Sequence, residues 1–199
     1  MLCLASWPSL VVLDLDHTCW NRPRFRAGPP FTPVNAGLAG ITSASGETLD
    51  LYPGARRTLM RLRDAGVPVA LASRSHRKNW ALEWLRMLRV DGDTTFESVV
   101  SPSPILIRDG SKAEHVREIH RRTSVEFDEM LFFDDNVHDV ARVEQLGCTV
   151  VHCAGGRGLT EALFDEGLAR WQARPHTAAA VGDGRRGPGR RRRHRGGRA

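Results

Sequence analysis

Apolar and polar positions along the chain follow two rhythms. Short, β-branched-rich apolar runs end abruptly at acids or hydroxyls, and between them lie stretches with apolar residues every three or four positions. Leu10–Leu15 (LVVLDL) is the first run and predicts a strand buried on both faces. Val67–Ala72 (VPVALA) and Met130–Phe133 (MLFF) predict two more, with shorter strands expected over Ser98–Val100 and Thr149–Val151. Helical spacing runs over Tyr52–Ala65, where Pro53 suits a helix start and Gly66 a C-terminal cap. Further helices are expected over Lys78–Leu88, Lys112–Arg122, Val137–Leu146 and Leu159–Trp171. Strands alternating with helices predict an α/β fold: a Rossmann-like three-layer sandwich with a central parallel sheet and right-handed crossovers. Asn21–Gly46, rich in Pro, Gly and Ser, reads as an irregular, flap-like insertion, and no internal repeat is visible.

Composition changes this picture mainly at one end. The chain has 199 residues and a formal net charge of +6, which by itself suggests a polyanionic partner. Nine of the 29 Lys and Arg, but only one of the 23 acids, lie from Arg174 onward. Residues 1–173 therefore hold 20 basic and 22 acidic side chains, and the excess positive charge belongs to the 174–199 segment. That segment is low-complexity Ala, Gly and Arg and reads as a disordered tail behind a single domain. It has no aromatic residue to stack on bases, so nucleic acid is expected to bind through it only non-specifically. No apolar run approaches a membrane span, and Met1–Leu10 lacks the basic start of a signal peptide. The four cysteines show no Cys-x-x-Cys spacing and read as reduced, buried thiols. A cytoplasmic monomer is the expectation.

In open parallel sheets, ligands bind beyond the carboxyl ends of the strands. The first predicted strand presents Asp14-Leu15-Asp16-His17-Thr18 there, the second Ser73-Arg74 and the third Asp134-Asp135-Asn136, while Lys112 opens a helix between the last two. Two carboxylates ~4 Å apart repel by about 4 kcal/mol at an effective dielectric of 20, a cost that a hard divalent cation removes. An all-oxygen acidic site with Lys112, Arg74 and the Ser73 hydroxyl suits Mg²⁺ and a phosphoryl group. Metal, phosphate and a spare carboxylate together indicate phosphoryl transfer. Strand-end acids also serve as plain helix caps, and Asp-x-Asp-x-Thr recurs at Asp91–Thr95 with no strand before it, where it reads as a turn. The first copy gains meaning from its strand and its partners downstream.

Those partners carry a resemblance. The stretches VVLDLDHTCW, LDLYPGARRTLMRLRDAGVPVALASRS, GSKAEHVREIHRRTSVEF and MLFFDDNVHDVARVEQLGCTVVH resemble, in order, the four motifs of the haloacid dehalogenase superfamily. Within it the chain is similar to the magnesium-dependent phosphatase-1 family over about residues 8–171. The resemblance implies that Asp14 is a nucleophile forming an aspartyl-phosphate, and that Asp16 is the acid and then the base. It implies that Ser73, Lys112 and the Leu15 backbone N–H hold the phosphoryl group and that Arg74 contacts substrate. Asp14, Asp135 and the Asp16 backbone carbonyl would take the metal, Asp134 would orient a ligand or water, and Asp139 would act from behind them. About 35 residues separate Asp16 from Tyr52 and under 40 separate Ser73 from Lys112, too few for a large cap domain. An open site suits a sugar phosphate or a phosphoprotein substrate.

Other residues have structural readings. His17 reads as a loop residue beside the pocket, and His115 and His120, five apart, do not make a metal pair. Trp80, Trp84 and Leu88, spaced by four, read as core, and His76-Arg77-Lys78 as a solvated face or an anion-attracting rim. Two further functions fit parts of the chain: a phosphoryl- or acyl-transfer domain of a biosynthetic pathway, and a nucleic-acid-binding protein acting through the Arg-rich tail.

Overall fold

The structure, a computed structural model, describes residues 6–21, 28–34 and 40–176. Five parallel strands form the central sheet: β1 (Leu10–Leu13), β5 (Val69–Ser73), β8 (Ile105–Ile107), β9 (Met130–Asp134) and β10 (Thr149–His152), in the order β10-β9-β1-β5-β8. The most apolar runs take the central positions, and β1 pairs Val12 with Ala70 on one side and with Phe132 on the other. Because successive strand residues point to opposite faces, the sheet feeds two cores. Val11, Leu13, Leu71, Leu131 and Phe133 pack on one face against α1 (Pro53–Ala65), α2 (Lys78–Met87) and α6 (Glu161–Gln172). Leu10, Val12, Ala70, Met130 and Phe132 pack on the other against α4 (Lys112–Thr123) and α5 (Val137–Glu144). This is the three-layer α/β sandwich that the alternating rhythms predict.

The helix punctuation works as read. Pro53 begins α1, and Gly66 ends it at φ 68°, a left-handed conformation that glycine adopts without a Cβ penalty. Ser111 caps α4 in a reciprocal capping box with Glu114, which fixes the first turn that carries Lys112. In α6, a Cβ on Gly167 would stand 2.7 Å from the Val151 side chain, so the glycine lets that helix lie close on the sheet.

Several readings are corrected. Residues 98–100 are not a strand: they belong to α3 (Phe96–Val100), capped by the Thr95 side chain, which accepts from the Ser98 N–H. Five residues are too few to show helical periodicity, and two adjacent valines gave the strand signal. The edge strand β8 went unread because prolines and serines surround its three residues. The Asn21–Gly46 insertion is partly regular: β2 (Thr32–Pro33) and β3 (Ile41–Thr42) lie in it and, with β4 (Thr48–Leu49) just beyond it, make a small antiparallel sheet. Residues 22–27 and 35–39 of that insertion, and 177–199 of the tail, lie outside the described residues.

Other assignments hold in whole or in part. The turn at Asp91–Thr95 is present, but the reading that no strand precedes it is corrected: β6 (Arg89–Asp91) leads into it and pairs with β7 (Thr94–Thr95) in a hairpin, with Gly92 at φ 48°. Cys19, Cys148 and Cys153 are free and buried, and Cys3 lies outside the described residues. Trp84 and Leu88 are core, with Trp80 packed at its margin. Residues 174–176, assigned by composition to the disordered tail, instead pack on the body: Arg174 donates to the Cys148 carbonyl, and the His176 ring stacks on Trp171 at 4.0 Å. Among the described residues, no helix is long and apolar enough to cross a membrane.

Candidate active site

The carboxyl ends of β1, β5 and β9 and the N-terminus of α4 open onto one cavity of about 460 Å³. Asp14, Asp16, Ser73, Arg74, Lys112, Asp134, Asp135 and Asp139 all line it; of the residues singled out from the sequence, only Leu15 turns its side chain into the core. Parallel pairing of β1 between β5 and β9 brings the strand ends to one level, and the Asp14 N–H donates to the Phe133 carbonyl at 3.0 Å.

Beyond β1 the chain folds tightly. Cys19 N–H donates to the Leu15 carbonyl at 2.8 Å, His17 N–H to the Trp20 carbonyl at 2.8 Å, and His17 itself takes φ 63°. This loop turns the Asp16 carboxylate toward the fully buried Trp20, whose indole Nε1 donates to Asp16 Oδ1 at 2.8 Å. Nothing in the local sequence pattern signalled that bond.

Lys112 forms the floor of the cavity. The residue is 2% exposed, and its ammonium lies between two buried carboxylates, Asp14 and Asp134, with Nζ 2.6 Å from Asp134 Oδ2. Asp134 is held at both oxygens, since Oδ1 also accepts the Asn136 N–H at 2.8 Å. Burial opposes the charge on Lys112, but the two acids outweigh it and hold its pKa above the usual lysine value. Burial pushes the Asp14 carboxyl up to about 7 despite Lys112, and Asp134 adds to the rise. Burial and Asp134 likewise raise Asp135, which Lys112 and His17 only partly offset.

The site is therefore short of positive charge. One oxygen each from Asp14, Asp134 and Asp135 lies within 4.8 Å of the others. The Lys112 ammonium facing three carboxylates, two of them buried, leaves net negative charge at the cluster, and a hard divalent cation fits its all-oxygen chemistry. The Asp16 carboxylate is not in this cluster among the described residues. Asp139 is also outside it: buried at 1% exposure, it faces Arg74, with Arg74 Nη2 2.8 Å from Asp139 Oδ2.

Around the mouth lie Arg74, His17, Ser75, His76, Asp109 and Asn136. Ser73 Oγ accepts the Ser75 N–H at 3.2 Å, which shapes the loop after β5. No described residue of the Asn21–Gly46 insertion lines the cavity.

Comparison with known proteins agrees with this arrangement. Residues 6–174 match the family described as Acid Phosphatase. The chain belongs to that family. Its curated relatives include magnesium-dependent phosphatase 1 of Homo sapiens, 32% identical over 159 residues, covering 78% of this chain and 84% of that protein. Another is a HAD-like hydrolase superfamily protein of Schizosaccharomyces pombe, 29% identical and covering 72% of this chain and 84% of that one. Among solved structures, a phosphatase domain from Bacteroides fragilis superposes with TM-score 0.54 at 17% identity, over 81% of this chain and 40% of that one. A HAD-superfamily hydrolase from Ehrlichia chaffeensis superposes with TM-score 0.53 at 12% identity, over 83% and 98%. This acid phosphatase family member thus has the haloacid dehalogenase fold, and it is a phosphoric monoester hydrolase.

Two features of the family member's site were beyond sequence reading. The Arg74–Asp139 and Trp20–Asp16 contacts depend on how loops meet in space. His115, a buried imidazole, lies near the Asp109 carbonyl and its burial lowers its pKa, in keeping with a structural role.

Proposed function

We propose that the chain is a Mg²⁺-dependent phosphomonoesterase working through an aspartyl-phosphate on Asp14, in an open site without a large cap. One observation carries the reading: the buried Lys112 ammonium between Asp14 and Asp134, with Asp135 beside them, at the end of the central strands. Lys112 and a cation screen the approach of a dianionic phosphate to the Asp14 carboxylate. The metal would be held by the Asp14 and Asp135 carboxylates and the Asp16 backbone carbonyl, and when bound it neutralises charge on the phosphoryl oxygens and aligns them. Asp134, engaged at both oxygens, holds Lys112 and the loop behind Asp135 in place.

The chemistry then divides among residues of this chain. A carboxylate oxygen of Asp14 attacks phosphorus while the bond to the leaving oxygen breaks, and Asp16 delivers the proton that makes the leaving group an alcohol. Water next attacks the same phosphorus, Asp16 takes its proton, and the bond to Asp14 breaks to release inorganic phosphate. Ser73, Lys112 and the Leu15 backbone N–H hold the phosphoryl oxygens, with Arg74 at the mouth. An opening lined, among the described residues, by the strand ends, the loops that follow them and the starts of α4 and α5 admits a sugar phosphate or a phosphorylated protein side chain.

The test is hydrolysis of a chromogenic aryl phosphate by wild type and Asp14→Asn, with Mg²⁺ and with chelator. Turnover only in the wild type with Mg²⁺ is expected; metal-dependent turnover retained by Asp14→Asn would overturn the assignment. A screen over sugar phosphates, nucleotides and phosphotyrosine peptides then ranks substrates.

A further inference from the structure

Asp139 stands one helical turn beyond Asp135, a spacing that invites a role at the metal. The structure places it elsewhere. Its carboxylate is 1% exposed and lies 2.8 Å from the Arg74 guanidinium, while the three-carboxylate cluster forms without it. Asp139 Oδ2 makes no directed hydrogen bond among the described residues, so Arg74 is the charge that compensates it. A buried carboxylate without a counter-charge is costly, which ties the two side chains together.

The backbone makes the tie rigid. Asn136 caps α5, its Oδ1 accepting from the His138 and Asp139 N–H groups, and its own N–H donates to Asp134 Oδ1. A continuous line of polar contacts therefore runs from Lys112 on the floor through Asp134, Asn136 and Asp139 to Arg74. Arg74 is the flexible end of that line: its side chain is 45% exposed, lines the cavity, and follows Ser73 at the end of β5. An unrestrained arginine would lose rotamer freedom on each binding event, whereas a held one presents its remaining N–H donors at a fixed place.

We propose that Asp139 is a positioning residue that orients Arg74 over the cavity as an anchor for the anionic group of the substrate. The proposal rests on the phosphatase reading above and adds to it a division of labour: Asp135 serves the metal, Asp139 serves substrate binding. An anchor used equally before and during reaction affects KM more than kcat.

A double-mutant cycle over wild type, Arg74→Ala, Asp139→Asn and the double variant tests this, using an aryl phosphate as substrate, inorganic phosphate as competitive inhibitor and Mg²⁺ titration. Each single variant is expected to raise KM and the phosphate inhibition constant about tenfold with kcat within about threefold, and the double variant to match Arg74→Ala. The Mg²⁺ concentration for half-activation should stay within about twofold of wild type. Asp139→Asn costing as much in the Arg74→Ala background as in wild type, or shifting the Mg²⁺ requirement about tenfold, would overturn the proposal. Thermal unfolding supplies an arm that needs no turnover. Arg74→Ala should lower Tm by stranding buried Asp139, and adding Asp139→Asn should recover it; a double variant less stable than Arg74→Ala contradicts the coupling. Loss of the phosphatase reading would appear instead as wild-type inactivity or as an active Asp14→Asn, with the stability cycle unaffected.

Discussion

Replacing Lys112 by Met keeps most of the side chain's volume and removes the ammonium from between Asp14 and Asp134. Two buried carboxylates then face each other with oxygens within 4.8 Å. At an effective dielectric of 20 their mutual repulsion is about 3.5 kcal/mol, and each also loses its direct partner. The protein limits the damage by protonating one acid, so the net cost falls in the range measured for breaking buried pairs, about 3–5 kcal/mol. For a folded body of this size that corresponds to a Tm lower by roughly 8–15 °C. The assay is thermal or guanidinium unfolding in chelator, repeated with Mg²⁺ and at lower pH. Because the loss arises from unscreened carboxylates, Mg²⁺ should restore part of it, and protonation should shrink the gap to wild type at pH 5. Turnover should fall about 10²–10³-fold even with saturating Mg²⁺, since the phosphoryl group loses its floor contact. A variant as stable as wild type in metal-free buffer would mean that Lys112 does not compensate the two acids.

Other outcomes follow from the same structure. Asp14 keeps its proton to about pH 7 when folded but releases it near 3.8 when unfolded, so the metal-free protein should lose stability as pH rises through that window. Mg²⁺ needs the ionised carboxylate, so the Mg²⁺-induced rise in Tm should be larger at pH 8 than at pH 5.5; thermal shift at both pH values checks the sign. Ser111→Ala removes half of the capping box at the start of α4 and should cost about 1 kcal/mol, or roughly 2–4 °C in Tm. Ending the chain after His176 should leave turnover of small phosphates unchanged and abolish any salt-sensitive nucleic-acid binding. Ending it after Ala173 should in addition lower Tm, because Arg174 and His176 pack on the body.

The fold was legible where composition and period agree. Leu10–Leu13 and Met130–Phe133 are apolar enough to demand burial on both faces, and two such runs ending at acids locate the functional edge of a parallel sheet. The short pieces escaped because they carry too few residues for a period to register. Phe96–Val100 follows a Thr cap that was open to reading, and the Ser43–Glu47 hairpin has Gly46 at φ 79° as its own turn signal. In the site, residue types at strand ends pointed to the acids, Ser73, Arg74 and Lys112. Which acid faces which cation was not legible: Asp134 against Lys112 and Asp139 against Arg74 are set by the crossing of loops from β5, β9 and α4.

The central claim is that Asp14 carries the phosphoryl group between two half-reactions. The most direct measurement is acid quenching of the Mg²⁺-loaded enzyme during turnover of an aryl phosphate, followed by mass spectrometry of the peptide containing Asp14. One phosphoryl group is expected on Asp14 in the wild type, formed and lost on the timescale of turnover. Steady turnover with the phosphoryl group on another residue, or turnover unimpaired in Asp14→Asn, would contradict it.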